Sequence, residues 1–238
     1  NGKVFSGGKR HHGIIAHLLP SDAVWIDITV PLENVFREYI PHAEVVVFAS
    51  GDPLFFGYAV TLQRVFPDAQ MEVFPTFNSL QLLAHKLRLP YSDMICVSLT
   101  GRSWKNLDVA LMRNQQTIGV LTDRKKGPSE IAERMLYYGY GNYVMTIGER
   151  LGNSAETVRT LSLTDASETE FRSPNCVILQ MTERQDRFFG IPENLFSHLE
   201  GRSNMITKMP VRLMSLAMMD LFGKSVMWDV GFCTGSVS

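Results

Sequence analysis

Apolar and β-branched residues gather in short runs separated by segments in which they recur every three or four positions, and this alternation predicts an α/β architecture. The runs AVWIDI, EVVVFA, MEVF, MICVSL, TIGVLT, YVMTIG and CVILQM are predicted strands. Between them Phe55, Ala59, Leu62, Val65 and Phe66 share one helical face, and Leu80, Leu83 and Leu87 share another. Pro128 directly after Gly127 suits the first turn of a helix, which continues with the stripe Ile131, Ala132, Met135 and Leu136. Such a helix would join TIGVLT to YVMTIG as a crossover. After CVILQM the chain turns polar and irregular, then resumes with a predicted helix in MPVRLMSLAMMDLF, a predicted strand in SVMWDV and a glycine-bearing loop, GFCTGS.

The polar stretch TGRSWKNLDV after the fourth predicted strand suggests a second lobe, with a boundary between Pro90 and Asp93. The division expected is an N-terminal α/β lobe over 1–92, a C-terminal α/β lobe over 93–187, a linker over 188–204 and the start of a further domain over 205–238. With 45% apolar and 20% charged residues the chain is globular rather than disordered. A net charge of −1 gives no global attraction to nucleic acid or anionic lipid, so neither is an expected partner and an anionic ligand must be met by local basic residues. Cys96, Cys176 and Cys233 are far apart, and two of them sit in apolar runs; reduced thiols in the cytoplasm fit better than a disulfide framework or a metal site. No apolar run approaches the roughly 18 residues of a membrane span.

Within this frame the stretch ASGDPLFFG, Ala49 to Gly57, is the first candidate site. Loops leaving the carboxyl ends of parallel strands are where open α/β sheets bind ligands, although Gly, Asp and Pro are also ordinary turn formers. Gly51 permits close backbone approach, Asp52 supplies a carboxylate, Pro53 stiffens the turn and Gly57 allows tight packing where a helix begins. FPTFNSLQ repeats the logic with Thr76, Asn78 and Ser79, where Ser79 either caps the following helix or meets a ligand. Two basic clusters, GGKRHH and TDRKKG, are either solvated surface or contacts for carboxylates. No grouping suggests a hydrolytic triad, and HExxH and Walker motifs are absent from the sequence.

Taken in order, GGKRH, ASGDPLFFG, SLTGR, LTD…GPSEIA and GERLG…ETV resemble the precorrin-6Y C5,15-methyltransferases of cobalamin biosynthesis. These are a branch of the tetrapyrrole methylases, whose mark is a GDPxxxG loop, here Gly51, Asp52, Pro53 and Gly57. The resemblance implies a two-lobed class III methyltransferase fold with S-adenosylmethionine in the cleft between the lobes. It implies C-methylation of a small-molecule tetrapyrrole, precorrin-6Y, at C5 for the front domain, by a cytoplasmic homodimer. Carried over position by position, Gly51, Asp52, Pro53 and Phe55 would lie against the methionine part of the cofactor, with Thr76 and Ser79 on the same side. Leu99 and Gly101 of SLTGR, Leu151 of GERLG and Asn175 of SPNCVIL would surround the adenosine. Lys9, Arg10 and Arg102 are the candidates for the substrate's carboxylates, arginine being suited to bidentate contact.

No general base is identifiable, since a sulfonium is already an activated methyl donor and alignment can carry most of the acceleration. The family's first strand and its GxGPG loop have no counterpart in this sequence, so the front lobe is expected without that strand. The tail resembles the truncated start of a class I methyltransferase domain, with Phe232 and Cys233 where that family's glycine loop has smaller residues. Two alternatives are a same-fold methylase acting on ribosomal RNA or on a modified protein side chain, and a cofactor-binding module without catalysis.

Overall fold

Backbone pairing sorts the strands of the computed structural model, which describes residues 3–184, 190–222 and 225–237, into two sheets. The front sheet is built from β1 (Val4–Gly7), followed by α1 (Lys9–Ile15), β2 (Val24–Asp27), α2 (Leu32–Tyr39) and β3 (Val46–Val47). Its order is β2-β1-β3, all parallel, with Phe5 opposite both Trp25 and Val46. Val4, Ile26, Val35 and Tyr39 form the core on one face, joined by Tyr58 and Leu62 of α3 (Tyr58–Val65). Ser6 is buried within β1 and avoids a desolvation penalty because its hydroxyl donates to the Ile26 carbonyl at 2.8 Å and lies 2.6 Å from the Tyr39 hydroxyl.

Next come α4 (Ser79–Leu87), β4 (Ile95–Ser98), α5 (Lys105–Met112), β5 (Thr117–Leu121), α6 (Pro128–Tyr137), β6 (Tyr143–Glu149), β7 (Thr157–Ser162), α7 (Leu163–Ser167) and β8 (Asn175–Met181). The back sheet has the order β4-β5-β8-β6-β7. β4 and β5 are parallel, and β8 inserts antiparallel between β5 and β6, so the α6 crossover spans one intervening strand. Alternate residues of these strands face opposite ways. Val97, Val120, Ile147 and Val177 meet Leu107, Leu111, Ile131 and Met135 on one face, while Cys176 and Ile178 meet Leu80, Leu83 and Ala84 of α4 on the other.

A glycine sets how closely α4 approaches. A Cβ added at Gly119 in the middle of β5 would lie 2.9 Å from a Leu80 methyl and 2.9 Å from the Met94 sulfur. Leu80 and Leu83 are fully buried there, each stabilising by about 1.5–3 kcal/mol. The helix that follows the FPTFNSLQ loop thus rests on the back sheet, which brings that loop to the carboxyl ends of β4 and β5.

Two predicted strands are not strands. Residues 71–74 and 225–230 have β-forming side chains but pair with no sheet edge, and Phe74, Val226, Trp228 and Val230 are exposed. Conversely, β1, with only Val4 and Phe5 as β formers, and the more polar β7 were not predicted; each forms because a neighbouring strand supplies its hydrogen bonds.

The chain divides into a unit over 1–184 and a smaller one over 185–238. Of the expected linker, 188 and 189 lie outside the described residues, and the remainder holds a single 3-10 turn, Glu193–Leu195. In the smaller unit α8 (Met209–Met218) carries Arg212, whose buried guanidinium donates to the carbonyls of Thr207 and Ile191 and lies over the Phe196 ring at 4.7 Å. No described helix is long and apolar enough to cross a membrane, and the described residues hold no cluster of potential metal ligands.

Candidate functional site

The GDPxxxG loop leaves β3 through Gly51, whose φ of +66° lies in the left-handed region open mainly to glycine. Asp52 folds over its own turn, accepting the Leu54 N–H on its carboxylate at 2.9 Å and the Phe55 N–H on its carbonyl at 3.1 Å. The Pro53 carbonyl then accepts the Ala59 N–H at 3.1 Å and seats the first turn of α3. Gly57 closes the loop: a Cβ there would sit 2.6 Å from the Pro53 carbonyl carbon and 2.8 Å from the Asp52 oxygen. The motif is therefore a backbone device that holds Gly51 to Phe55 in one tight, reproducible turn.

That turn abuts the second loop, since a Cβ on Gly51 would lie 3.5 Å from the Asn78 α-carbon. Asn78, not Ser79, caps α4: its side chain accepts the Gln81 N–H at 2.9 Å while the Gln81 side chain accepts the Asn78 N–H at 3.0 Å. Ser79 lies one residue inside the helix, and its carbonyl accepts from the Cys176 thiol at 3.5 Å. Thr76 is exposed.

From the back sheet, the SLTGR turn begins at Leu99, whose N–H donates to the Leu121 carbonyl at 2.8 Å and whose side chain is wholly within the core. Gly101 has φ +62° and open space where a Cβ would be. Asp123 organises this turn by accepting the N–H groups of Lys125 and Lys126, each at 2.8 Å, and of Gly101 at 3.2 Å. Burial raises the Asp123 pKa, but those three N–H groups and the Lys126 ammonium outweigh it and hold the carboxyl below its usual range. Lys126 is itself engaged, donating to the Arg102 carbonyl at 2.6 Å, so TDRKKG is less a free basic patch than a loop wound around an acid.

The Thr122 hydroxyl donates, at 2.6 Å, to both the carbonyl and side-chain oxygens of Asn175, tying β8 to the end of β5. Asp123, Arg124, Gly127, Ser173 and Asn175 line a cleft of about 250 Å³ there. Leu151 folds over Gly148, where a Cβ would meet its methyl at 2.9 Å, and packs with Phe55 on the cluster beneath α4.

The structure thus brings Gly51, Asp52, Pro53 and Phe55 beside the loop of Thr76 and Ser79, and Phe55 onto the same cluster as Leu151. Gly101 and Asn175 are linked through Asp123 and Thr122, and Arg102 reaches across to the Phe56 ring at 5.1 Å. Arg10 approaches Ser50 at 3.4 Å from α1, and Lys9 is exposed at the start of that helix. Asn78, Phe56, Thr122, Asp123, Ser50 and His11 lie within the stretches FPTFNSLQ, ASGDPLFFG, TDRKKG and GGKRHH singled out above, but none is among the residues expected to contact cofactor or substrate. Of these, Asn78 carried a legible signal, because Asn three residues before Gln is a capping box.

The tetrapyrrole (corrin/porphyrin) methylases match residues 32–167, more than half of the chain. The chain belongs to this family. It is 31% identical over 238 residues to a precorrin-6Y C(5,15)-methyltransferase (decarboxylating) of Sinorhizobium sp, covering 98% of this chain and 57% of that protein. It is 31% identical over 135 residues to a cobalt-precorrin-7 C(5)-methyltransferase of Salmonella typhimurium, covering 57% of this chain and 65% of the relative. The chain therefore spans between half and two thirds of these curated relatives' length. Among solved structures, uroporphyrin-III C-methyltransferase from Thermus thermophilus, complexed with S-adenosyl homocysteine, matches with a TM-score of 0.56 at 23% identity, covering 76% of this chain and 81% of that one. The fold of this chain is the two-lobed tetrapyrrole methylase fold, with mixed α/β content.

Proposed function

We propose that this tetrapyrrole methylase transfers the methyl group of S-adenosylmethionine to C5 of precorrin-6Y or of a closely related corrin precursor in cobalamin biosynthesis. The observation that carries the reading is the facing of two left-handed glycine turns, Gly51 and Gly101, bridged by Phe56 and Arg102. The names of the Sinorhizobium and Salmonella relatives support the substrate class, and the Thermus complex supports the cofactor. The residues fit that cofactor: Gly101 opens onto free space, and Gly51 lets its turn lie against the Asn78 loop with no side chain between them.

When bound, S-adenosylmethionine supplies an activated methyl group, so this chain has to bind, orient and exclude water. Gly51, Asp52, Pro53 and Phe55, with Thr76 and Ser79, hold the methionine end; Leu99, through its backbone, and Gly101, Leu151 and Asn175 hold the adenosine. Lys9, Arg10 and Arg102 take the acceptor's carboxylates, and the net charge of −1 favours this small anion over ribosomal RNA. The protein works as a homodimer, and its three free cysteines are in keeping with the reducing cytoplasm. Residues 1–92 and 93–187 are its two lobes, and 205–238 resembles a stretch of a class I methyltransferase domain.

Calorimetric titration with S-adenosyl homocysteine, followed by mass spectrometry of a corrin precursor incubated with the protein and S-adenosylmethionine, tests the reading. Binding that is lost in Gly51→Val, and a product heavier by one methyl-for-hydrogen replacement, are expected. Absence of both rejects it.

A further inference from the structure

Two neighbouring residues of α1, Arg10 and His11, meet the distant Ser50 at the entrance to the GDPxxxG loop, and the roles assigned so far leave their arrangement unexplained. The Nε2 atom of His11 lies 3.0 Å from the Ser50 hydroxyl, and the Arg10 guanidinium lies 3.4 Å from the same oxygen. Ser50 is exposed and immediately precedes Gly51. The other imidazole nitrogen, Nδ1, is buried and has no hydrogen-bond partner among the described residues. The imidazole is held close because β1 ends in glycine: a Cβ at Gly7 would lie 3.2 Å from the His11 Cβ and 2.9 Å from the Trp25 ring.

We infer that Ser50 and His11 form a relay that removes the proton released when the acceptor carbon is methylated. The inference rests on the methyl-transfer reading above, which puts the reacting carbon beside the Gly51 turn. Transfer breaks the sulfur–methyl bond, leaving its electron pair on sulfur, and makes the carbon–methyl bond with a pair from the acceptor's π system. The acceptor then carries a positive charge at an adjacent iminium. Breaking the C–H bond at the methylated carbon returns that pair to the π system and frees a proton. Ser50 Oγ takes it and passes its own proton to His11 Nε2, giving an imidazolium that later releases it to water.

The relay runs through one tautomer. Arg10 can only donate, so Ser50 Oγ accepts from it, and with the imidazole proton on Nδ1 the serine's own proton is directed at His11 Nε2. Burial and the Arg10 charge both hold His11 below its usual 6.5, so the ring is neutral at pH 7 and ready to accept. Of the other elements, β1 ends at Gly7, β2 brings the Trp25 ring and, opposite Gly7, the Asp27 carboxylate, which accepts the Trp25 indole N–H at 2.9 Å, and the loop after β3 offers the Ser50 hydroxyl. His11 acts through Ser50 and is a positioning residue in this scheme.

The test compares His11→Gln, Ser50→Ala and Ser50→Thr for homocysteine-cofactor affinity and for the pH profile of kcat. Loss of a proton acceptor lowers kcat by about 10²- to 10⁴-fold, and cofactor affinity and KM should stay within about twofold. The wild-type kcat should fall toward acid with a midpoint below 6.5, and that limb should vanish in His11→Gln. Should His11→Gln fail to fold, the serine pair decides: Ser50→Ala should be slow, and Ser50→Thr, which keeps a hydroxyl, should recover most of the rate. An unchanged kcat in Ser50→Ala, a threonine variant as slow as the alanine one, or an acid limb that survives in His11→Gln overturns the relay alone. A wild-type chain that binds the cofactor but methylates nothing overturns the relay together with the proposed function.

Discussion

The guanidinium carbon of Arg102, on the turn after β4, lies 5.1 Å from the centre of the Phe56 ring, on the turn leading into α3. Phe56 is held at a φ of +54°, where bulky residues are rare, and its ring also meets Phe55 edge-on at 5.0 Å. The loops of the two sheets are thus clasped by one cation and one ring, both exposed to an incoming ligand. If Arg102 receives an acceptor carboxylate, Arg102→Met loses a charge-assisted hydrogen bond of about 1.5–3 kcal/mol. Steady-state kinetics should then show KM for the corrin precursor raised at least tenfold, with cofactor affinity by calorimetry unmoved. Equal KM values would remove Arg102 from the acceptor site.

Gly57→Ala should be more damaging than its size suggests. The added Cβ meets backbone atoms of Asp52 and Pro53, which cannot rotate away as a side-chain tip could. We expect a loss of about 1–3 kcal/mol in urea denaturation together with weaker cofactor binding, because the turn must open to admit the methyl group. A loss below about 0.5 kcal/mol, the range of ordinary surface substitutions, would mean the loop is not closed as described.

Glu149, from the GERLG motif, should govern acid stability. Its buried carboxylate accepts from the Arg172 N–H, from the Thr157 hydroxyl at 2.8 Å and from Arg159 Nη2 at 2.9 Å. Burial raises its pKa, and these donors with the Arg159 charge outweigh it, so the folded value lies below the ordinary 4.5. A depressed carboxylate contributes its full stabilisation above the ordinary value and loses it as pH falls through the folded one. Glu149→Gln should therefore cost about 2 kcal/mol at pH 7 and flatten the decline in stability below pH 4.5. A parallel decline in both proteins would assign acid lability elsewhere.

In the smaller unit, Arg212→Met should release the segment around α8. The buried guanidinium satisfies two carbonyls, and Glu193, 4.0 Å away, also accepts the Met209 N–H that starts the helix. Removing it leaves those acceptors unpaired, at about 3 kcal/mol. Limited proteolysis should cut between 190 and 222 at least tenfold faster in the variant. Equal cutting rates would show that the arginine does not hold this unit together.

What the sequence determined by itself was local. Gly127 and Pro128 started α6 and the apolar stripe carried it, with Glu130 accepting the Gly127 N–H at 3.0 Å. GDPxxxG, SLTGR and GERLG pointed to the family because their glycines and turn residues encode backbone shapes that few other residues can adopt. Tertiary structure decided which extended segments became strands. VFSG and TVRTLS found partners in β2, β3 and β6, whereas MEVF and SVMWDV, with a comparable share of β-forming side chains, found none. A strand's hydrogen bonds lie outside its own segment, so its sequence cannot state whether an edge will be waiting. The same holds for the site's chemistry. Ser50 and His11 are 39 positions apart and Thr122 and Asn175 are 53 apart, and those hydrogen bonds exist only because sheet order brings the strand ends together.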